Sequence, residues 1–236
     1  MRQIWVINPN TTEAMTAGIE RCARAVVAPG TVVTGITSEI GPASIESHYD
    51  EALAVPGVLR AISRGERAGV DGYVIACFGD PGLDAAREAA RGPVIGIAEA
   101  AMQAASHLGR GFSVVTTLTR TMGRAEDLAN HYGMQRFCRG VHACDVPVLD
   151  LDTDSRKIVT EACREAVECD GSDVVVLGCA GMASMCTSIS EELGVPVVDG
   201  VTAATLSVQS LIAMGLRTSK RGEFAAPPPK DYRTGR

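Results

Sequence analysis

Two stretches of this chain have the same shape. In "DGYVIACFGD" (71–80) and "SDVVVLGCAGM" (172–182) an apolar run ends at a cysteine, Cys77 or Cys179, and a glycine follows two residues later, Gly79 or Gly181. The two cysteines stand 102 positions apart. The likeness extends well beyond them. Ile4 matches Phe112 at an offset of 108, and Pro93 matches Pro196 at 103. A near-constant offset through a whole order of elements is the mark of an internal duplication, and it restricts the chain to folds that can be built twice.

The unit that is repeated alternates strand and helix. "IWVINPN" has the apolar content of a buried strand, and "TTEAMTAGIERCARAVV" after it has helical periodicity, with Thr11 or Thr12 as the cap. "TVVTGIT" predicts a second strand, and "DEALAVPGVLRAISRGERAG" a helix with a kink at Pro56. "GYVIAC", the helix "PGLDAAREAAR", the strand "PVIGI" and the helix "AEAAMQAASHL" complete the first half. The second half follows the same order: "FSVVTTL", the helix "TRTMGRAEDLANHYG", a weaker strand over "HACDVPVLDL" broken by Pro147, the helix "SRKIVTEACREAVEC", the strands "DVVVLGC" and "PVVDGV", and the helix "TAATLSVQSLIAMG". Strands apolar on both faces, alternating with helices, imply parallel sheets covered on each side. The predicted fold is therefore α/β, with two pseudo-symmetric lobes, each a mainly parallel sheet flanked by helices. Ligands of such sheets bind beyond the carboxyl ends of the strands, where both cysteines stand. An active site between the lobes follows if these ends face each other. After Thr218, "SKRGEFAAPPPKDYRTGR" lacks periodicity and predicts an extended tail held to the surface.

Charge and cysteine usage remove several classes of function. The net charge of −6 suits neither nucleic acid nor an anionic membrane, which both need a basic face. The longest apolar runs fall short of the roughly 18 residues of a membrane span. The N-terminal "MRQIWVINPNTTEAM" has the pattern of a first strand rather than a leader, so a cytoplasmic location is expected. The eight cysteines, at 22, 77, 138, 144, 163, 169, 179 and 186, include no Cys-x-x-Cys, and the four histidines lack paired ligand spacing. That predicts no metal site and no disulfide framework. Most of these thiols, Cys163 and Cys169 among them, are expected to be small apolar fillers.

The seam position gives Cys77 and Cys179 a different standing. A free thiol titrates near 8.5, so at pH 7 only roughly 3% is thiolate. A helix N-terminus stabilises the anion, and a glycine lets backbone N–H groups approach it closely. Two thiols in one site do not both ionise readily, so the expected resting pair is one thiolate and one thiol. A proton acceptor facing a proton donor suits the inversion of a carbon acid. One sulfur removes a proton from one face, and the other returns a proton to the opposite face. No cofactor is expected, because the substrate's own carbonyl takes up the charge.

The motifs "INPNTT", "GPASIESHYDEALAVPG", "ACFGDPGLDAAR", "PVIGIAEAA", "FSVVTTLTRT", "VVLGCAGMA" and "PVVDGV" together resemble the hydantoin and allantoin racemase group of the aspartate/glutamate racemase superfamily, over about Arg2 to Lys220. The resemblance implies a cofactor-independent racemase with one catalytic cysteine from each lobe, at Cys77 and Cys179. It also implies that the C-terminal helix returns to the first lobe, which divides the chain into 1–98 plus 205–236 and 99–204. On the same basis Asn8 and Asn10 are candidates to donate to a substrate carbonyl, or to stabilise their own turn. Thr116 and Thr117 are the matching pair of the second lobe, with helix capping as their alternative. Ile45 is expected to shape the pocket, and Gly79, Gly181 and Met182 to lie against the ligand. Asp80 either accepts from a ring N–H or caps the helix after it. His48 and Tyr49 are expected to be loop structure. Arg and Lys are absent from 8–12, 77–82, 116–119 and 179–183, which favours a neutral ring over a free amino acid. The expected substrate is a 5-substituted hydantoin. Allantoin is the alternative, to be favoured by a polar pocket. An arylmalonate-decarboxylase-like or maleate-isomerase-like enzyme on the same scaffold, and a non-catalytic two-lobed binding protein, stand further off, because both thiols are retained. A homo-oligomer is expected.

Overall fold

A computed structural model describes residues 1–231. The first sheet holds strands β1 (Arg2–Asn8), β2 (Thr31–Thr37), β3 (Gly72–Ile75) and β4 (Val94–Gly96) in the order β2-β1-β3-β4, all parallel. The second holds β5 (Phe112–Thr116), β6 (Cys138–Ala143), β7 (Val174–Leu177) and β8 (Val197–Asp199) in the order β6-β5-β7-β8, again parallel. All four residues of β3 and of β7 are buried, as expected of a strand covered on both faces. The duplication extends to single bonds. The Ala76 N–H donates to the Ile7 carbonyl at 2.8 Å, and the Gly178 N–H donates to the Val115 carbonyl at 2.7 Å. Each is followed directly by a seam cysteine. In each sheet the connections leave the central pair, β1 and β3 or β5 and β7, in opposite directions, which opens a crevice beyond their carboxyl ends.

Among the described residues eight helices cover the sheets: α1 (Glu13–Val26), α2 (His48–Ala68), α3 (Leu83–Ala89), α4 (Ile97–Ser106), α5 (Met122–His131), α6 (Arg156–Asp170), α7 (Cys186–Leu193) and α8 (Gly200–Ala213). Alternate residues of a strand face opposite sides. Thus Ile7, Tyr73 and Ile75 meet Val58 and Ile62 of α2 and Leu83 of α3 on one face of the first sheet. Val115, Val175 and Leu177 meet Val159 of α6 and Ile189 of α7 on one face of the second. The remaining faces share a single core. Ile4, Val6 and Val74 of the first sheet and Phe112, Val114, Val174 and Val176 of the second join the same cluster, through α4 and α8. Helix α4 leaves the first sheet and packs on β7 and β8. Helix α8 leaves the second sheet and packs on β1, β3 and β4. The two helices pack against each other, and a Cβ at Gly200 would run into the Ile97 backbone.

Some local expectations need correction. The strand expected over "HACDVPVLDL" lies earlier, as β6, and stops at Ala143. Asp145 adopts φ 50°, and its carboxylate accepts the N–H and hydroxyl of Thr119, so the chain turns away before Pro147. Only a short 3-10 turn, Val148–Asp150, follows. Helix α7, between the second seam and β8, was not anticipated. Thr12 stands at the N-cap of α1, but its hydroxyl donates to the Ala43 carbonyl, and Asn10 Oδ1 accepts the Thr12 N–H. Helix α2 contains Pro56 as expected, and it is capped by Ser47 Oγ at the Asp50 N–H. The tail is tied down at Thr218, which donates to the Gly92 carbonyl, and at Lys220, which donates to the carbonyls of Arg87 and Glu88. Its last residues, Tyr232 to Arg236, lie outside the described residues.

Candidate active site

One residue, Ala76 or Gly178, separates each buried strand from its cysteine. Cys77 follows β3 and Cys179 follows β7, and both line one cleft of about 790 Å³, open mouth included. Cys77 is half-buried and Cys179 buried. The Gly79 N–H lies against the Cys77 sulfur, and the Gly181 N–H against that of Cys179. Both amides favour the thiolate. Helix α3, by contrast, begins only at Leu83, past Pro81 and Gly82, so its N-terminus does not serve Cys77. Cys179 stands at the N-cap position of a helical turn, the 3-10 segment Ala180–Met185.

Burial outweighs the amides. Loss of solvent pushes the Cys77 thiol well above its ordinary value, with Glu51, Cys179 and Asp80 adding repulsion. Burial also pushes Cys179 up to about 11, aided by Cys144 and Glu46. Burial thus works against the expected resting thiolate at both sulfurs. The reason is physical: the same water exclusion that protects a carbanion raises the cost of a sulfur anion.

Asn8, Asn10, Ile45, Gly79, Thr116 and Thr117 line the cleft with the two cysteines. The asparagines are mostly engaged in their own turn. Asn8 Nδ2 donates to Asn10 Oδ1 at 2.8 Å and to Thr16 Oγ1 at 3.0 Å, and Asn10 Nδ2 lies 3.1 Å from Met15 Sδ. Thr116 Oγ1 lies 2.9 Å from Thr121 Oγ1. Three candidates are absent from the cleft wall. Met182 is fully buried in the core. Gly181 lies behind Cys179, on a neighbouring cavity that it shares with Leu151 and Cys22. Asp80 turns inward, where its carboxylate accepts the N–H groups of Ala98 and Glu99 and the Tyr132 hydroxyl. It thus caps α4 instead of the helix after it. Gly96, at the end of β4, leaves the room this requires, since a Cβ there would strike the Asp80 carboxylate. Burial and three donors oppose each other at Asp80, and its acidity falls to a pKa of about 7.

Sequence reasoning missed the charged part of the wall. Glu46, Glu51, Arg120 and Arg124 line the cleft, as does His48. The segment judged free of Arg ended at 119, one residue short of Arg120. The i, i+4 spacing of Arg120 and Arg124, starting just past the strand end at Thr116, was the available signal. Arg124 Nη2 donates to the Gly79 carbonyl at 2.6 Å, and Nε lies 3.2 Å from Glu51 Oε2. Glu46 Oε1 accepts the Val148 N–H at 2.7 Å. These contacts join residues of the first half of the chain to residues of the second across the cleft.

Comparison with known proteins gives the chain's relatives. A hydantoin racemase of Rhizobium meliloti is 48% identical, covering 95% of this chain and 94% of its own. A hydantoin racemase of Pseudomonas sp. (strain NS671) is 45% identical, covering 98% and 94%. The solved structure of an allantoin racemase from Klebsiella pneumoniae is 51% identical and superposes with a TM-score of 0.97, covering 99% and 97%. Residues 4–208 match the Asp/Glu/hydantoin racemase family, and the chain belongs to it.

Proposed function

We propose that this chain racemises hydantoin-type rings at C5, without a cofactor, with Cys77 and Cys179 as the two bases. The observation that carries the reading is that equivalent cysteines of a duplicated fold line the same cleft. In one direction the thiolate of one cysteine takes the C5 proton, and the C–H electron pair passes into the adjacent carbonyl to form an enolate. The thiol of the other cysteine gives its proton to the opposite face of C5 and becomes the thiolate. The reverse reaction exchanges the roles. Hydroxyl and amide groups of Asn8, Asn10, Thr116 and Thr117 are the proposed partners of the ring oxygens, and donors held in place before charge develops are what stabilise an enolate. Ile45 is the proposed apolar contact of the ring. The N–H groups of Gly79 and Gly181 serve the sulfurs. Arg124, paired with Glu51, leaves a neutral ring the better fit to the inner wall.

A second reading within this class has its own support. The wall carries Glu46, His48 and Arg120, and the 51% identical structure bears the name allantoin racemase. A ureido substituent at C5 would find hydrogen-bond partners there, where a benzyl group would not. Polarimetry on enantiopure 5-benzylhydantoin and (S)-allantoin, in D2O with nothing added, tests both readings. Loss of rotation with deuterium entering C5 is expected, and the ratio of kcat/KM values assigns the substituent. Loss of rotation without deuterium would sink the two-base scheme.

The same reading divides the chain into a first lobe of 1–98 with 205–236 and a second of 99–204, supported by the exchange of α4 and α8 between the sheets. Residues 232–236 of that division lie outside the described residues. It also carries a cytoplasmic location and a homo-oligomer. None of the helices among the described residues is long and apolar enough to cross a membrane. Light scattering of the purified chain measures the assembly.

A further inference from the structure

The turn after Cys77 is held from the far side of the cleft. The Gly79–Asp80 peptide is fixed at both ends: its N–H donates to the Cys77 carbonyl at 2.9 Å, and its carbonyl accepts from Arg124 Nη2 at 2.6 Å. Asp80 itself adopts φ 46°, a conformation that an ordinary side chain rarely takes without support. Its carboxylate is tied to the Tyr132 hydroxyl at 2.7 Å. Arg124 lies on α5 and Tyr132 caps its C-terminus, so one end-to-end element supplies both contacts, while the N–H groups of Ala98 and Glu99 hold the Asp80 carboxylate from α4. Glu51 Oε2 lies 3.2 Å from Arg124 Nε, and Glu51 fills the space beside the Gly79 Cα, where a Cβ would collide with its carboxylate. Arg124 is one-third exposed and Glu51 less than a fifth, so the pair is partly shielded from solvent.

We propose that Arg124 is a positioning residue for Cys77: by binding the Gly79 carbonyl while neutralising Glu51, it fixes the turn that aims the Gly79 N–H at the Cys77 sulfur. Arg124 donates to the turn on α5's side of the cleft, so the acidity and aim of Cys77 depend on α5 being docked. Cys179, whose turn is closed by the Met182 N–H donating to its carbonyl at 3.1 Å and whose acidic neighbour is Glu46, does not share this support. The effect is therefore one-sided. This inference rests on the two-base reading above.

Exchange of the C5 proton in D2O, followed for each enantiomer separately, tests it on 5-benzylhydantoin or allantoin, whichever the chain inverts. Cys77→Ser and Cys179→Ser serve as references. Under the two-base reading each retains exchange of a different enantiomer, and absence of that split counts against the reading itself. Given the split, Arg124→Met is expected to slow exchange of the enantiomer that Cys77 deprotonates by about 100-fold, the scale of a misplacement near 1 Å. The other enantiomer is expected to stay within about threefold of wild type, which also shows that the variant is folded. Arg124→Lys, which keeps the charge but loses the fork, is expected to fall between. Equal loss on both enantiomers would make Arg124 a substrate contact or a general support, and no loss would make it a surface ion pair; either overturns the proposal. A second readout needs no substrate. In wild type and Arg124→Met, the alkylation of Cys77 and Cys179 by iodoacetamide is mapped by peptide mass against pH. The midpoint for Cys77 is expected to rise by about one pH unit, because the Glu51 charge loses its partner, while that for Cys179 stays. An unchanged Cys77 midpoint would also overturn the proposal.

Discussion

At Cys77 and Cys179, two opposed requirements meet. A carbon acid needs a dry site, and a dry site makes a thiolate expensive. Cys77 has one backbone N–H, from Gly79, and Cys179 has two, from Gly181 and Met182, and these donors offset only part of the burial. The sign of the pH dependence follows. Burial raises the pKa of both thiols, and the proposed two-base scheme needs one of them ionised. The value of kcat/KM should therefore rise with pH by about tenfold per unit from pH 6 to 9, because the free enzyme's essential base lies above that window. A steady-state profile with a plateau below pH 8 would show that the sulfurs are better solvated than their burial indicates. The seam cysteines and their glycines were legible in the sequence because a strand end and a turn are local. The neighbours that raise their pKa, Glu51 and Glu46, were not. They come from the loop and helix around residues 46–51, which nothing local connects to positions 77 or 179.

Among the elements, α4 and α8 matter most. Each leaves one sheet and covers the other, so the end of β4 and the end of β8 must approach each other closely. Gly200 is the point of closest approach to the Ile97 backbone. Gly200→Ala should cost about 1–3 kcal/mol, the usual range for overpacking a filled core. The difference in urea midpoint at constant slope measures it, and an unchanged midpoint would mean that the helices shift apart freely. Helical periodicity located α4 and α8 and most of the other helices. It missed α7, which runs on directly from the 3-10 segment Ala180–Met185, and the strand pattern misplaced β6, because the apolar run of "VPVLDL" belongs to a turn. Asp80 illustrates a subtler limit. The sequence offered it as the cap of the nearest helix, but it caps α4, seventeen residues on, because Gly96 leaves a space that only folding reveals.

In the whole molecule, one apolar cluster runs through both sheets, from Ile4 and Val74 to Phe112 and Val176. Neither lobe owns that core, so the two should unfold as a single cooperative unit. Trp5 on β1 reports on the first sheet, and far-UV circular dichroism on both. Their urea curves are expected to coincide, and separated midpoints would show that each lobe holds together alone. The sequence by itself determined the repeated α/β plan, the parallel sheets and a cysteine at each seam, because strand burial and helix periodicity are properties of short segments. Only the tertiary structure decided that α4 and α8 change sheets, that Arg124 reaches from α5 to the Gly79 carbonyl, and that both thiols are driven toward neutrality. Those depend on which surfaces meet and which water is excluded, and chain order does not encode either locally.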